Sequence, residues 1–136
     1  MAIVDYEELS RNSLARSLAF AGYRVIAEAS GEDLIERYRS GKRVDLVLLD
    51  VDMPGLDGYA TLRALNEIDP KVRAIMFSGH PNDARAQQAR SFGAMAYLQK
   101  PCEGRNVIAN IEAALHSSPL PRRRSATTLN RPPEDR

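Results

Sequence analysis

The amino-acid sequence predicts an α/β fold in which a parallel sheet of five strands is covered by helices on both faces. Segments with strand and helix patterns alternate strictly through residues 2–116, as in a chain of repeated β–α units. The run from Leu46 to Leu49 is apolar at every position and too short for a helix of normal length, so it suits a strand buried on both faces. Polar residues follow most of the strands, and ligands in such folds bind beyond the carboxyl ends of the strands.

Each strand and helix has local signals of its own. The strands are short apolar runs, whereas the helices combine an apolar stripe with capping residues such as Ser30 and Asn82 and with terminal glycines such as Gly22 and Gly93. We predict strands at residues 2–4, 24–29, 46–50, 72–77 and 97–99, and helices at residues 7–20, 31–40, 58–66, 83–92 and 107–115. The fourth helix is mostly alanine, arginine and glutamine, so we expect it to bury little and to be weakly anchored.

Composition and charge narrow the classes of function. The chain has 136 residues and a hydrophobic fraction of 43%, which favours one globular domain, and it contains no run of 18 apolar residues that would predict a membrane span. Cys102 is the single cysteine and no secretory signal pattern is visible, so we expect a cytoplasmic protein. We expect one domain at residues 1–116 and a disordered tail rich in Pro, Arg and Ser at residues 117–136. The domain is mildly acidic, which gives no footprint for nucleic-acid binding.

Four of the predicted strands end in a side chain suited to chemistry. These residues are Asp5, Asp50, Ser78 and Lys100. Because the carboxyl ends of parallel strands meet at one edge of a sheet, we expect the four side chains to reach one crevice. A strand buried on both faces that delivers a carboxylate to this edge presents a single reactive group. We therefore expect Asp5, Ser78 and Lys100 to assist the reaction of Asp50.

The stretch DVDMPGLDG at residues 50–58, together with Ser78-Gly79, Tyr97 and Lys100-Pro101, resembles the receiver domain of two-component response regulators. The resemblance covers residues 2–116. It implies a flavodoxin-like doubly wound sheet of five strands in the order 2-1-3-4-5, with five helices. It also implies a signalling switch that accepts a phosphoryl group from a histidine kinase, rather than an enzyme.

The resemblance gives a role to each matching residue of the crevice. Asp50 matches the phosphoacceptor, whose carboxylate attacks a phosphohistidine and forms an aspartyl-phosphate. Asp5, Asp50 and the backbone carbonyl of Asp52 match the positions that hold Mg²⁺, which offsets the repulsion between a carboxylate and phosphoryl oxygens. Lys100 matches the cation that pairs first with the carboxylate and then with a phosphoryl oxygen.

Ser78 and Tyr97 match the two residues of the family that report phosphorylation. The Ser78 hydroxyl binds the phosphoryl group once it arrives, and Tyr97 turns inward to fill the space that the moving loop leaves. The added charge of about −1.5 to −2 then changes the surface around the fourth helix and the fifth strand. We expect a sensor histidine kinase or phosphotransfer protein as the donor and a downstream protein, or a second copy of the chain, on this surface. Nucleic-acid and membrane partners are not expected.

The sequence departs from the family's pattern at Tyr6. Receivers usually carry two adjacent acids after the first strand, and here the pair reads Asp5-Tyr6. A neutral phenol is a poor ligand for Mg²⁺, so we expect weakened Mg²⁺ binding and slower phosphoryl transfer. Glu7 and the side chain of Asp52 are candidates to replace the missing carboxylate.

Two other functions stay open. One is a pseudo-receiver that binds a partner without being phosphorylated; Tyr6 favours it, whereas the intact set of Asp50, Ser78 and Lys100 counts against it. The other is an enzyme, because Asp50-Val51-Asp52 also resembles the paired-aspartate motif of haloacid-dehalogenase-type phosphatases. That motif normally follows the first strand of a longer chain, whereas here it follows the third.

Overall fold

Five strands alternate with five helices in the computed structural model, which describes residues 1–80, 82–102 and 104–116. The strands are β1 (Ala2–Val4), β2 (Ile26–Glu28), β3 (Val47–Asp50), β4 (Ala74–Ser78) and β5 (Ala94–Gln99). The helices are α1 (Glu8–Phe20), α2 (Gly31–Arg39), α3 (Gly58–Ile68), α4 (Asp83–Ser91) and α5 (Gly104–Leu115). None of the helices in these ranges is long and apolar enough to cross a lipid bilayer. The predicted tail at residues 117–136 lies outside the described residues.

The strands form one parallel sheet in the order β2-β1-β3-β4-β5. The chain begins inside the sheet, adds β2 on one side, and then adds β3, β4 and β5 in turn on the other. In the central register Val4 lies beside Leu49, and Asp50 lies beside Phe77. This topology confirms the predicted flavodoxin-like, doubly wound fold with strand order 2-1-3-4-5.

Several boundaries differ from those predicted. β2 is confined to Ile26–Glu28, the residues that pair with β1. β5 begins at Ala94 rather than at residue 97, and Ala94 pairs with Ala74 of β4. α5 begins at Gly104, ahead of its apolar stripe. A β-strand is defined by its hydrogen bonds to a neighbouring strand. Its ends therefore depend on pairing between distant parts of the chain, which a local sequence pattern does not show.

Two layers of apolar side chains hold the helices to the sheet. Successive side chains of a strand point to opposite faces, so Leu48 and Leu49 enter different layers. The layer of Leu49 includes α2 and α3, and the layer of Leu48 includes α1 and α5. The helix residues buried in these layers include Leu34, Tyr38, Leu62 and Leu65 on one face, and Leu18, Val107 and Ile111 on the other. The prediction that β3 is covered on both faces is confirmed.

Three of the described helices are preceded by a residue whose side chain accepts a hydrogen bond from the backbone N–H three positions further on. These caps are Ser30 for α2, Asp57 for α3 and Asn82 for α4. Such a bond satisfies one of the free N–H groups in the first turn of a helix. α4 buries only Ala89, which confirms the prediction that it buries little.

α3 begins close against the end of β3, at the edge of the sheet where Asp50 lies. The backbone N–H of Gly58 donates to the carbonyl oxygen of Val51 at 3.1 Å. A Cβ atom at position 58 would lie 2.5 Å from the carbonyl oxygen of Asp50 and 2.8 Å from the Cα atom of Val51. Backbone atoms of a central strand cannot move aside independently, so this approach requires glycine.

We predict that Gly58→Ala lowers the free energy of unfolding by about 1–3 kcal/mol, because β3 or α3 has to shift to admit the methyl group. Urea unfolding followed by circular dichroism measures the change. Gly79→Ala is the matched control, since a Cβ atom there meets nothing within 4 Å and should change stability by no more than about 0.5 kcal/mol. Equal stabilities of the Gly58 variant and the wild type would contradict the prediction.

Candidate functional site

Two buried carboxylates stand side by side at the carboxyl ends of β1 and β3. Asp50 is the last residue of β3, and Asp5 directly follows β1 in the neighbouring strand. The two residues are only 3% and 5% exposed. Each carboxylate accepts a backbone N–H from two residues further on: Asp50 from Asp52 at 3.1 Å, and Asp5 from Glu7 at 2.9 Å. These bonds orient both side chains toward the same crevice.

The ammonium group of Lys100 joins the two carboxylates. Lys100 follows β5, and its backbone N–H donates to the carbonyl oxygen of Ser78, which extends the pairing with β4. Its Nζ atom lies 2.8 Å from Asp5 Oδ2 and 3.3 Å from Asp50 Oδ2. Burial lowers the pKa of Lys100, but the contacts with Asp5 and Asp50 outweigh burial and raise it, so the amine is charged at neutral pH.

Asp50 is the carboxylate whose protonation is most perturbed. Burial raises its pKa to about 6; the Lys100 ammonium opposes the rise, and the Asp5 carboxylate adds to it. At pH 7 and above, the carboxylate is mainly ionised and can act as a nucleophile. Relative to the unfolded chain, the folded protein therefore destabilises the ionised form of Asp50. The single ammonium group of Lys100, shared by two carboxylates, does not remove this free-energy cost.

The hydroxyl group of Ser78 is held by Asp52. Ser78 ends β4 and is fully buried, and its Oγ donates to Asp52 Oδ2 at 2.9 Å. The backbone N–H of Gly79 reaches the same carboxylate oxygen at 3.3 Å. On the other oxygen, Arg85 Nη2 lies 2.9 Å from Asp52 Oδ1. Burial raises the pKa of Asp52, but the hydrogen bonds from Ser78 and Arg85 outweigh burial and lower it.

Arg85 is a site residue that the sequence analysis missed. It lies in the first turn of α4, 33 positions from Asp52 along the chain. Its sequence surroundings are those of an exposed, arginine-rich helix, and nothing local marks it. Only the folded arrangement of the β3–α3 loop and the start of α4 brings the two side chains together.

Tyr97 lies in β5 beside Met76 of β4 and packs against the apolar layer on the α2–α3 face. Its hydroxyl oxygen is buried, so the side chain is directed into the protein. Tyr59 belongs to the same layer and donates its hydroxyl to the backbone carbonyl of Arg85 at 3.2 Å. Burial raises the pKa of Tyr59 to about 12, which keeps the phenol protonated as a donor.

Tyr6 lies next to Asp5 in the chain but is 54% exposed. The two acids considered as replacements for a carboxylate at this position differ in how firmly their side chains are held. Glu7 Oε1 accepts the hydroxyl of Ser10 at 2.7 Å, and Asp52 is held by Ser78 and Arg85. Asp52 is therefore not free to act as a third carboxylate beside Asp5 and Asp50, whereas Glu7 lines the same groove and is held by one exposed hydrogen bond.

A groove of about 530 Å³ opens from Asp50 and Lys100 and runs between α1 and α5. It is lined by Leu9, Ser13, Leu14 and Ser17 of α1, and by Gly104 and Val107 of α5. Leu9 and Phe20 are 81% and 94% exposed, although both are large and apolar. Neither the groove nor these two exposed side chains was predicted from the sequence, although Leu9 and Phe20 lie three turns apart on one side of α1, opposite the buried Leu18.

A sequence model of the response regulator receiver domain matches residues 1–112. The chain belongs to the response-regulator receiver family. It is 31% identical over 115 residues to the chemotaxis protein CheY of Bacillus subtilis, an alignment that covers 84% of this chain and 95% of CheY. The resemblance expected from residues 50–58, Ser78, Tyr97 and Lys100 is thereby confirmed at the level of the family.

Other receiver proteins place the chain in a wider context. It is 33% identical over 115 residues to the transcriptional regulatory protein AfsQ1 of Streptomyces coelicolor, covering 85% of this chain and half of the length of AfsQ1. Its fold matches the CheY of Borrelia burgdorferi, solved in a complex with CheX, BeF₃ and Mg²⁺, with a TM-score of 0.80 and 25% identity. That match covers 85% of this chain and 88% of the other.

Receiver domains typically bind Mg²⁺, and the donors of this site fit the ion. Mg²⁺ in proteins is held through one or two carboxylates and completes its octahedron with waters and phosphate oxygens. Asp5 and Asp50 supply two buried carboxylates that share one ammonium group. The fit to Mg²⁺ rests on these two carboxylates. No cluster of three or more His, Cys, Asp or Glu side chains suited to a metal occurs among the described residues.

We predict that Asp50→Asn stabilises the metal-free receiver by an amount that depends on pH. The pKa of Asp50 is raised above its ordinary value of 3.8 in the folded state, so wild-type stability falls as pH rises from about 4 through 6. Asparagine keeps the shape and removes the charge. The gain in unfolding free energy should be small near pH 4 and reach on the order of 2 kcal/mol above pH 7.

Chemical denaturation in chelator at several pH values measures this difference. Asp45→Asn, at an exposed aspartate, serves as the control and should show no comparable gain. A variant at position 50 that is less stable than wild type at pH 7.5, or a difference that does not vary with pH, would contradict the prediction.

Proposed function

We propose that this receiver accepts a phosphoryl group on Asp50 from a histidine kinase or a phosphotransfer protein. The observation that carries the proposal is the position of Lys100 Nζ, within 3.3 Å of both the Asp50 and the Asp5 carboxylates. A buried carboxylate that is ionised at neutral pH and paired with a compact cation is a nucleophile prepared for an anionic substrate. The groove beside Asp50 gives a donor imidazole a path to it from solvent.

In the proposed transfer, an Asp50 carboxylate oxygen attacks the phosphorus atom of a phosphohistidine. The phosphorus–nitrogen bond breaks, its electron pair stays on the imidazole nitrogen, and Asp50 becomes an acyl phosphate. Lys100 offsets part of the charge that accumulates between the carboxylate and the phosphoryl oxygens. Asp5, Asp50 and the backbone carbonyl of Asp52 would hold Mg²⁺, which supplies further neutralisation of that charge when bound.

The output of the switch is proposed to lie on the face of α4 and β5. β5 is an edge strand, α4 buries only Ala89, and Tyr97 connects this face with the core. A phosphoryl group near Ser78 adds about −1.5 to −2 charge at the base of the same segment. A downstream protein or a second copy of the chain would bind where these elements respond.

A pseudo-receiver function is favoured by two observations, the phenol at Tyr6 and the engagement of Ser78 by Asp52. A phosphatase of the haloacid-dehalogenase type is not favoured. Its second aspartate acts as a general acid, whereas the pKa of Asp52 is lowered by its hydrogen bonds. Asp52 also lies in an ion pair with Arg85 rather than free beside Asp50.

We predict that acetyl phosphate with Mg²⁺ adds one phosphoryl group to the wild-type chain and none to Asp50→Asn. Intact-mass spectrometry measures the gain, and Asp45→Asn should be labelled like wild type. If neither acetyl phosphate at high Mg²⁺ nor a cognate kinase labels the wild type, the pseudo-receiver becomes the better account of this chain.

We predict that Tyr6→Asp lowers the Mg²⁺ concentration needed for half-saturation by roughly tenfold, because a second acid beside Asp5 adds attraction for the ion. NMR shifts of the Asp50 amide report the titration. Tyr6→Asn is the matched control: it removes the phenol without adding charge and should bind like wild type. Identical titrations of the aspartate variant and the wild type would show that Tyr6 does not limit Mg²⁺ binding.

A further inference from the structure

Three donors from the segment between the end of β4 and the first turn of α4 converge on the carboxylate of Asp52. They are the hydroxyl of Ser78 at the end of β4, the backbone N–H of Gly79 in the following loop, and the guanidinium group of Arg85 in α4. The distances are 2.9, 3.3 and 2.9 Å. A hydroxyl, a backbone N–H and a guanidinium group arranged around one carboxylate form an anion-binding site, and here a side chain of the same protein occupies it.

The hydroxyl of Ser78 has one hydrogen atom to donate, and Asp52 receives it. The Ser78 oxygen in turn accepts the backbone N–H of His80 at 3.0 Å, which limits the rotation of the side chain. A phosphoryl group on Asp50 that binds Ser78 therefore has to take this hydrogen bond from Asp52. It also has to approach the negative charge of Asp52, two residues away from its own attachment point.

Arg85 connects the Asp52 carboxylate to the position of α4. Its Nη1 atom donates to the carbonyl oxygen of His80 at 3.2 Å, and its own backbone carbonyl accepts the hydroxyl of Tyr59. One residue thus links the β3–α3 loop, the β4–α4 loop and α3 to the start of α4. α4 buries only Ala89, and these polar contacts hold its first turn while Phe92 at its other end packs on Tyr59 and accepts a hydrogen bond from Asn66.

We propose that Asp52 and Arg85 form a latch, in which Asp52 competes with a phosphoryl group on Asp50 for the hydroxyl of Ser78 and Arg85 neutralises Asp52. We call this pair the Asp52–Arg85 latch. Before phosphorylation, Asp52 holds Ser78, Gly79 and Arg85. After phosphorylation, the Ser78 hydroxyl passes to the phosphoryl group, and Asp52 retains Arg85 as its counter-ion. The competition part of this proposal rests on the proposed function of Asp50.

The two members of the latch have opposite effects on anion binding at Asp50. Asp52 opposes the anion, because it holds the hydroxyl and repels the charge. Arg85 is a positioning residue that acts mainly by neutralising the Asp52 carboxylate, which makes the anion easier to accommodate. Its Nη1 atom also donates to the Ser78 hydroxyl oxygen at 3.5 Å. A residue with a merely structural role would not give effects of opposite sign, since loss of local structure weakens binding in both variants.

The test is a titration with beryllofluoride, a phosphoryl analogue, at saturating Mg²⁺, followed by NMR on the full chain. Asp52→Asn should lower the apparent Kd by roughly five- to tenfold, and Arg85→Gln should raise it by a similar factor. In the double variant, the Arg85 substitution should have a much smaller effect, because the carboxylate that Arg85 neutralises is gone. Asp83→Asn and Arg90→Gln, which change the same charges elsewhere on α4, serve as matched controls and should bind like wild type.

Two results would overturn the proposal: weaker binding in both single variants, or an Arg85 effect of the same size with and without Asp52. The free protein supplies a second measurement that does not involve Asp50. The Gly79 amide resonance should shift in Asp52→Asn and, to a lesser extent, in Arg85→Gln, but not in the two controls. An unchanged Gly79 resonance in Asp52→Asn overturns the latch itself. If the wild type binds no beryllofluoride while these shifts are seen, the proposed function of Asp50 fails and the latch stands.

Discussion

The contact of Lys100 with two buried carboxylates is the constraint on which the rest of the site depends. Asp5 and Asp50 are withdrawn from water almost completely and lie in neighbouring strands, an arrangement that is unfavourable for two negative charges. One ammonium group within 3.3 Å of both makes the arrangement tolerable. It leaves one negative charge in excess, so the site retains an affinity for a further cation.

The fold supplies the rigidity that holds these charges in place. The strands that deliver Asp5 and Asp50 are apolar along their length and covered on both faces, so their ends cannot retreat toward water without exposing core residues. The close approach of Gly58 to the end of β3 restrains the same edge from the side of α3. The stable sheet thus holds two like charges close together at its edge, where their electrostatic interaction is unfavourable. Such arrangements are common at functional sites.

The sequence predicts which polar residues lie at the carboxyl ends of the strands, but it does not predict which side chains contact each other across the loops. The positions of Asp5, Asp50, Ser78 and Lys100 follow from four strand ends, because parallel strands bring those ends to one edge. The contact between Asp52 and Arg85 joins residues 33 positions apart and depends on how a loop and a helix meet. The start of β5 at Ala94 likewise depends on pairing with β4. Leu9 and Phe20 have helical spacing in the sequence, but their exposure can be recognised only once the buried face of α1 is known.

Asp52, two positions beyond Asp50, has contacts in the structure that its residue type alone does not indicate. Read as a sequence, Asp52 is a candidate to compensate for Tyr6 by adding a carboxylate for Mg²⁺. In the structure its charge is already neutralised by Arg85 and three residues of the β4–α4 segment are organised around it. Directing Asp52 to the metal would break its contacts with Ser78, Gly79 and Arg85, and α4 would lose its link to the β3–α3 loop. Metal binding by the Asp52 side chain and its contact with α4 are therefore alternatives, and in this structure the side chain contacts Arg85 of α4.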